Sequence, residues 1–511
     1  MLERRLWVPV FLVVASIVGF YGWTALSPHS GVKTNGVWSE NFYNRPPTGY
    51  EELADAFSHG RLSMTEQPKP ELLALPDPYD AIANAQLRHH DWVLYNSKYY
   101  LYWSPLPAVL LFVPAHALGL PMNAALACII LGTILLLLTL RVFLLCRTNP
   151  DRYSPTQMMA ICLLIGFGSY TPILLRRPAA YEVAILVGST LTALTLFFFL
   201  KSTLRKNTIW ISAAMFSAML AFWSRQSFVF APLVLLGIFV FNNRDRIRIV
   251  IYAATPPILL VGACIAMYNY LRFDSVFEFG TKYQLAGINL GRFNLSWVIP
   301  KLDADLFTHG FMSKFPWTTT GDPRFRASMY TQYNLEPNLG LLIAMPWLPL
   351  IAISAWQRRV EFCRSALGSR QVLLLASTIA IGTIVVQTIA VPGTTWRYLG
   401  DYAPFITFVV LAMQLLIDRS KFIINLSPLL LSTFLILGSI LVFGINSIFF
   451  LFTVLIFLIS STSPRTIHVN LTTFLVLITI WTVAIIGLTS LTVGGFDQLD
   501  LVPQGFYWWE G

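Results

Sequence analysis

The chain has 511 residues, 56% of them hydrophobic and only 12% charged, with a mean hydropathy of +0.63. Such a composition lies outside the range of soluble globular domains, and repeated apolar stretches of about 17–25 residues mark a polytopic α-helical membrane protein. The net charge of +10 sits mostly in short loops between apolar segments, where it sets orientation, so no nucleic-acid partner is expected.

The first apolar stretch, Leu6–Leu26, follows Arg4 and Arg5. It is long enough to span and is read as a retained first helix rather than a signal peptide, with its N-terminus in the cytoplasm. Residues 27–121 then form a large periplasmic loop. Its polar part, up to Ser104, gathers Glu40, Glu51, Glu52, Asp55, Glu66, Glu71, Asp77, Asp80 and Asp91, with His59, His89 and His90. Nine of the 25 acidic residues thus fall in this one loop, which makes it the candidate seat of chemistry.

Within it, Thr48-Gly49-Tyr50-Glu51 has the form of a capping box and Gly60 is a helix stop. Tyr50, Leu53, Ala54 and Phe57 recur at helical spacing, so a short amphipathic helix is expected over 48–60. Glu52, Asp55 and His59 share its polar face. Glu51 reads first as a capping group; Glu52 and Asp55 read equally as solvated surface or as site residues. Asp77, before Pro78, has the pattern of a helix N-cap with Asp80 in the first turn. Two carboxylates three residues apart also suit general-base work, or sharing a divalent ion with a phosphate. Beyond that possible cation no cofactor is expected, and His89-His90 lacks a third ligand at metal-binding spacing. The aromatic run Tyr99–Trp103 reads as an interfacial belt.

Pro105–Gly119 is apolar but short and interrupted by prolines, which fits a juxtamembrane segment that does not cross. With that choice, Asn123–Cys146 runs inward and delivers Arg141, Arg147 and Arg152 to the cytoplasm. Further spans are expected at 157–175, 181–200, 208–223, 228–242, 249–271, 339–356, 371–391, 402–417, 422–444, 447–460 and 470–493. The total is about thirteen helices. They divide into 122–271, a second periplasmic loop at 272–338, and 339–493, followed by a periplasmic tail at 494–511. No internal repeat or low-complexity tract is present. The cysteines lie in apolar helices or, for Cys363, in a basic loop, so no disulfide framework or structural zinc site is expected.

This topology leaves some arginines on the outer side, against the positive-inside pattern. Arg176 and Arg177 precede Tyr181 and Glu182, Arg225 ends one span, and Arg397 lies near Asp401. Arginine forks match phosphate oxygens, so an anionic ligand at the outer face accounts for them. Snorkelling to lipid headgroups, or an Arg397–Asp401 ion pair, is the plainer alternative.

Several stretches together resemble the GT-C glycosyltransferases, especially aminoarabinose transferases, protein O-mannosyltransferases and their bacterial relatives. They are the acidic first loop with Ala54-x-x-Phe57-x-x-Gly60, the Pro-aromatic segment YYLYWSPLPAVLLFVPAHALG, the turn RRPAAYE, NYLRFDSVFEFGTKYQLAG, and WRYLGDYAPF. The likeness covers roughly residues 1–415. It implies a GT-C-like fold and transfer of a sugar from a polyprenyl-phosphate donor to a glycan, lipid or protein acceptor at the outer face of the cytoplasmic membrane. It also implies a first-loop carboxylate as base, and basic residues on the lipid phosphate. One departure is that relatives carry an acidic pair where this chain has Pro46-Pro47.

The reading is therefore an inverting, membrane-embedded glycosyltransferase. Asp55, Asp77 and Asp80, with Glu52 behind them, are the candidate catalytic carboxylates. Arg176, Arg177, Arg225, Arg397 and Asp401 are the candidate substrate-binding residues. The alternatives are a transporter or flippase of lipid-linked sugars, and a non-catalytic scaffold of the same fold. Charged residues are nearly absent from the middles of the spans, which speaks against a transport path.

Overall fold

The computed structural model describes residues 4–26, 32–34, 37–40, 49–89, 92–146, 153–205, 207–285, 298–308, 310–311, 318–319, 334–335, 338–348, 367–390, 393–416 and 471–491. The expected spans at 422–444 and 447–460, the tail at 494–511, His90, Asp91, Cys363 and Pro46-Pro47 lie outside them.

Five helices in the described residues are long and apolar enough to cross a membrane. In hydrocarbon every backbone polar group must be satisfied within the segment, so such runs can only be helical. The long helices are α1 (Arg4–Leu26), α5 (Ala124–Cys146), α8 (Ala180–Arg205) and α11 (Ile247–Phe273), with a fifth at Leu367–Ala390. Shorter apolar helices lie among them: α6 (Pro155–Gly168), α9 (Thr208–Ser224) and α10 (Phe230–Asn242). The molecule is a multi-pass membrane protein. α8 packs between α5 and α9, α11 lies on α9, and α1 packs against α5 and α6.

One expected span is broken. Residues 157–175 form α6 and a separate five-residue helix, α7 (Thr171–Leu175), because Tyr170 adopts a left-handed conformation with φ 60°. Nothing in the local sequence, such as a glycine, announces this turn. Its freed backbone is satisfied by the Ser169 hydroxyl, which donates to the Gly166 carbonyl at 2.7 Å. The Tyr170 hydroxyl reaches the Leu339 carbonyl at 3.1 Å. Of the expected span 339–356, the described part holds one helical turn, α13 (Leu341–Ala344).

The expected helix in the first loop forms as α2 (Tyr50–Ser58). Tyr50, Leu53 and Ala54 are buried, and the Phe57 ring meets Tyr268 edge-on at 6.4 Å. Gly60, at φ 69°, ends the helix, with the Arg61 N–H bonded to the Ala56 carbonyl at 2.9 Å. Thr48 of the expected capping box lies outside the described residues. Gly49 is the N-cap, and the Glu51 carboxylate accepts the Ala124 N–H at 2.8 Å. Glu51 thus caps α5, an element 73 residues further on.

The fold is helical but not all-α. The aromatic run expected as an interfacial belt is half of a hairpin, with Trp92–Tyr95 antiparallel to Lys98–Leu101. Asn96 and Ser97 turn it with positive φ, the geometry of a tight two-residue hairpin loop. Tyr99 and Tyr100 point to opposite faces of the strand and both are buried, Tyr99 against the Trp92 ring at 5.1 Å and Tyr100 against the Phe273 ring at 5.5 Å. Ala108–Ala117 follows as a π-helical turn continuing into the short helix α4 (Val113–Ala117). Its length, about 15 Å, is half of a hydrocarbon core.

The bundle has two unlike ends. At one, the Ser369 hydroxyl bonds the Cys146 carbonyl (2.7 Å), Gln371 bonds Asn242 (2.7 Å) and Gln157 bonds Thr472 (2.9 Å). The chain brings the basic residues Arg244, Arg246, Arg248 and Arg370 to this end. The other end carries α2, the hairpin, and α12 (Val298–Phe307) of the second loop.

Candidate active site at the loop-bearing end

The last helices of the described bundle are α14 (Leu367–Ala390), α15 (Trp396–Leu416) and α16 (Leu471–Leu491). Arg397 and Asp401 sit one turn apart at the start of α15 and so share one face. Asp401 is fully buried. Its Oδ2 receives the Arg225 guanidinium at 2.8 Å, the Gln387 side-chain amide and, at 3.5 Å, the Ser227 hydroxyl. Arg225 reaches it because α9 stops at Ser224 and the backbone at Arg225 is extended before the next turn. The Arg397–Asp401 pair considered from the sequence is replaced by Arg225–Asp401.

Arg397 turns to α8 instead. Its Nε is 4.0 Å from Glu182 Oε1, and its guanidinium lies 4.3 Å from the centre of the Tyr181 ring. Glu182 Oε2 accepts the Ala179 N–H at 3.1 Å and so caps its own helix. Arg176 is buried, 5.8 Å from the Trp396 ring centre, with its guanidinium at 3.5 Å from the Thr489 carbonyl. Arg177 is half-buried beside Glu182.

Residues not foreseen from the sequence complete this group. On α12, Lys301 is buried and its ammonium donates to the Gln387 carbonyl at 2.8 Å, with the Tyr398 ring centre at 4.8 Å. One turn on, Asp305 accepts from the Thr394 hydroxyl and from Asn338 at 3.2 Å. Burial lowers the Lys301 ammonium to about 8, against the opposing pull of Asp305 and Asp401, and burial raises Asp305. The one available signal was that Lys301, like the outer arginines, is a cation on the loop side.

The group holds five cations (Arg176, Arg177, Arg225, Lys301 and Arg397) against three carboxylates (Glu182, Asp305 and Asp401). Six buried side-chain atoms in and beside it have no hydrogen bond: Tyr50 Oη, Trp103 Nε1, Glu182 Oε1, Arg225 Nε, Gln387 Oε1 and Asp401 Oδ1. Each such orphan costs on the order of 1–3 kcal/mol. Donors and acceptors are both represented, the mix that a ligand with anionic oxygens and hydroxyls satisfies.

Helix α2 abuts this group. A Cβ on Gly49, at φ 62°, would meet the Ala180 Cβ at 3.1 Å. The rings of Tyr50, Trp103 and Tyr181 run in series at 6.0 and 4.7 Å, leading to Arg397. Arg225 lies within electrostatic range of the Tyr50 hydroxyl. On the polar face, Glu52 is half-buried and its Oε2 is among the unpartnered buried atoms. Burial, then Glu66, Glu51 and Asp55, push its carboxyl up to about 7.

The other three carboxylates are more exposed. Asp55 accepts from the Thr65 hydroxyl at 3.1 Å and neighbours His59 at 3.5 Å. Asp77 accepts the Tyr79 N–H at 2.9 Å, and Asp80 accepts those of Ile82 and Ala83 at 2.9 and 3.3 Å. His89 stacks on Trp92 at 4.3 Å and meets Glu66 at 2.7 Å. Among the described residues no three His, Cys, Asp or Glu side chains gather to hold a metal ion.

No protein-family model matches the sequence, and no curated protein matches it. Among solved structures the chain is similar to ArnT from Cupriavidus metallidurans bound to undecaprenyl phosphate, at 12% identity over 97% of this chain and 78% of that one, with a TM-score of 0.43. It is similar to the arabinosyltransferase EmbB from Mycobacterium smegmatis, at 13% identity over 96% of this chain and 41% of that one, with a TM-score of 0.48. It is also similar to the archaeal oligosaccharyltransferase AglB from Archaeoglobus fulgidus, at 13% identity over 98% and 59%, with a TM-score of 0.43.

Proposed function

We propose that the protein is an integral-membrane glycosyltransferase that moves a sugar from a polyprenyl-phosphate donor to an acceptor at the outer face of the cytoplasmic membrane. The observation that carries this reading is the cluster of five buried or half-buried cations, against three carboxylates, beside the helix that bears Glu52. A lipid phosphate entering from the bilayer meets Arg225 and Arg397, whose guanidinium N–H groups match its oxygens. The resemblance of the acidic loop, RRPAAYE and WRYLGDYAPF to GT-C enzymes points to the same donor.

Glu52 is the carboxylate best suited to act as base, because its environment holds its proton affinity near neutrality. The acceptor hydroxyl gives its proton to Glu52 as its oxygen bonds to the anomeric carbon from the face opposite the phosphate. The bond from that carbon to the phosphate oxygen breaks, and Arg225 and Arg397 stabilise the charge that builds on the leaving lipid phosphate. Asp401 holds Arg225, and Glu182 faces Arg397. Asp55 is the reserve choice, and Asp77 and Asp80 serve local turns.

Reconstituted vesicles supplied with a panel of polyprenyl-phosphate sugars test the reading. Transfer to an acceptor by the wild type, lost in Glu52→Gln and Arg225→Met, is the expected result. Outward movement of labelled lipid without any transfer would instead make the protein a flippase.

A further inference from the structure

We propose that Lys301, brought in on α12 by the second loop, is a third ligand of the donor phosphate, beside Arg225 and Arg397. The inference rests on the glycosyltransferase reading of the same site. An ammonium has three N–H donors. In Lys301, which is 4% exposed, one of them is used on the Gln387 carbonyl, and no ion pair is formed among the described residues. An ammonium buried with so little coordination gives up solvation that nothing around it replaces.

A purely structural lysine would close on Asp305, one turn away on the same helix. Asp305 is instead held by Thr394 and Asn338. Those two residues belong to the parallel strand pair of Asn334–Leu335 with Gly393–Thr394, or flank it. The anchor therefore fixes α12 against the segment that leads directly into Arg397. Lys301 is left poised over Tyr398, one residue beyond Arg397, with two donors unassigned.

The groups around the ammonium are known. Asp305 lies on its own helix; Asp401, Tyr398 and Tyr402 come from α15, and Tyr402 is itself within electrostatic range of both carboxylates. Arg225 stands behind Asp401, the Gln387 carbonyl comes from α14, and Tyr170 faces Asp305. Because burial brings Lys301 to about 8, its charge, and with it phosphate affinity, falls as pH rises through that value.

The test is binding of undecaprenyl phosphate, with undecaprenol as the phosphate-free control, to the purified full-length protein. Lys301→Met is expected to weaken undecaprenyl phosphate by about ten- to hundredfold, the worth of one charge-assisted hydrogen bond, and to leave undecaprenol unchanged. Lys301→Arg is expected to bind like the wild type at pH 7 and, unlike it, to keep its affinity at pH 9. Glu52 is present in both proteins, so the difference between their pH profiles isolates residue 301. Wild-type affinity in Lys301→Met, or identical pH profiles for wild type and Lys301→Arg, would overturn the role of Lys301 while leaving the site intact. If Lys301→Met does not fold, the pH comparison decides alone. A wild type that binds no undecaprenyl phosphate overturns the parent reading too.

Discussion

At Glu52, burial and three neighbouring carboxylates act in the same direction, and the carboxyl loses its proton near pH 7 rather than near its ordinary value. Two outcomes follow, of opposite sense. As a base, Glu52 must be ionised, so transfer activity should fall as pH drops below about 7. Glu52→Gln should lower activity by roughly 10²–10⁴ and flatten that acid limb. For stability, the folded-state pKa lies above the unfolded value, so the fold favours the protonated form and loses stability as pH rises from 4.5 to about 7. Glu52→Gln should therefore melt higher than the wild type above pH 7 and equally below 4.5, read as melting temperature across pH in detergent. Asp80 behaves differently, because its carboxylate accepts two backbone N–H groups. Asp80→Ala should cost about 1 kcal/mol, as loss of a cap does, whereas Asp80→Asn should keep both stability and activity. Loss of transfer in Asp80→Asn would return this residue to the list of bases. The sequence showed that these carboxylates were candidates but not which of them is half-buried, since burial at Glu52 depends on elements far along the chain.

Among the elements, α15 organises the site through two residues one turn apart. Arg397 and Asp401 stood out in the sequence as charges beside an apolar run, but their partners did not. Asp401 pairs with Arg225, from a break between two helices, and with Gln387 on the preceding helix. Arg225 and Asp401 lie 176 positions apart (401 − 225), and no periodicity within one segment encodes such a pairing. Breaking a buried ion pair by removing one partner costs about 3–5 kcal/mol, because the other charge is left alone. Arg225→Met should thus destabilise by that order, and adding Asp401→Asn should restore part of the loss. A thermal-stability cycle measures this, and strictly additive losses would show the two residues to be uncoupled. Amphipathic α2 was legible from its apolar spacing and from Gly60. That spacing did not show that Glu51, read as a cap for its own helix, accepts an N–H of α5. The break at Tyr170 was likewise hidden, as a tyrosine in a left-handed conformation leaves no mark in composition.

For the whole molecule, hydropathy alone revealed most of the described spans, since a bilayer accepts only segments that satisfy their own backbone. The alternation of chain direction that follows also separated the basic end from the end with the loops. Cysteine labelling of the intact cell checks the orientation: single cysteines introduced at Ile82 or Phe277, both 88% exposed, should react with an impermeant reagent. One at Arg248 should not, and the reverse pattern would invert the topology. The hairpin, the short parallel pair and α12 were not legible, because they take their shape from the helix ends on which they rest.

The wide spacing of the buried charges also governs how the protein comes into being. Glu182 and Arg225 enter the membrane early in synthesis, while their partners Arg397 and Asp401 emerge from the ribosome more than 170 residues later. Until then Arg225 lacks Asp401 and Glu182 has only Arg177 beside it, and the site cannot exist in any nascent form. A chain halted before Thr394 never gains Arg397 and Asp401, so in a pulse-chase such fragments should be cleared faster than the full-length protein. Equal lifetimes would mean that these charges find other shelter. The last quarter of the chain thus serves as the checkpoint for what precedes it.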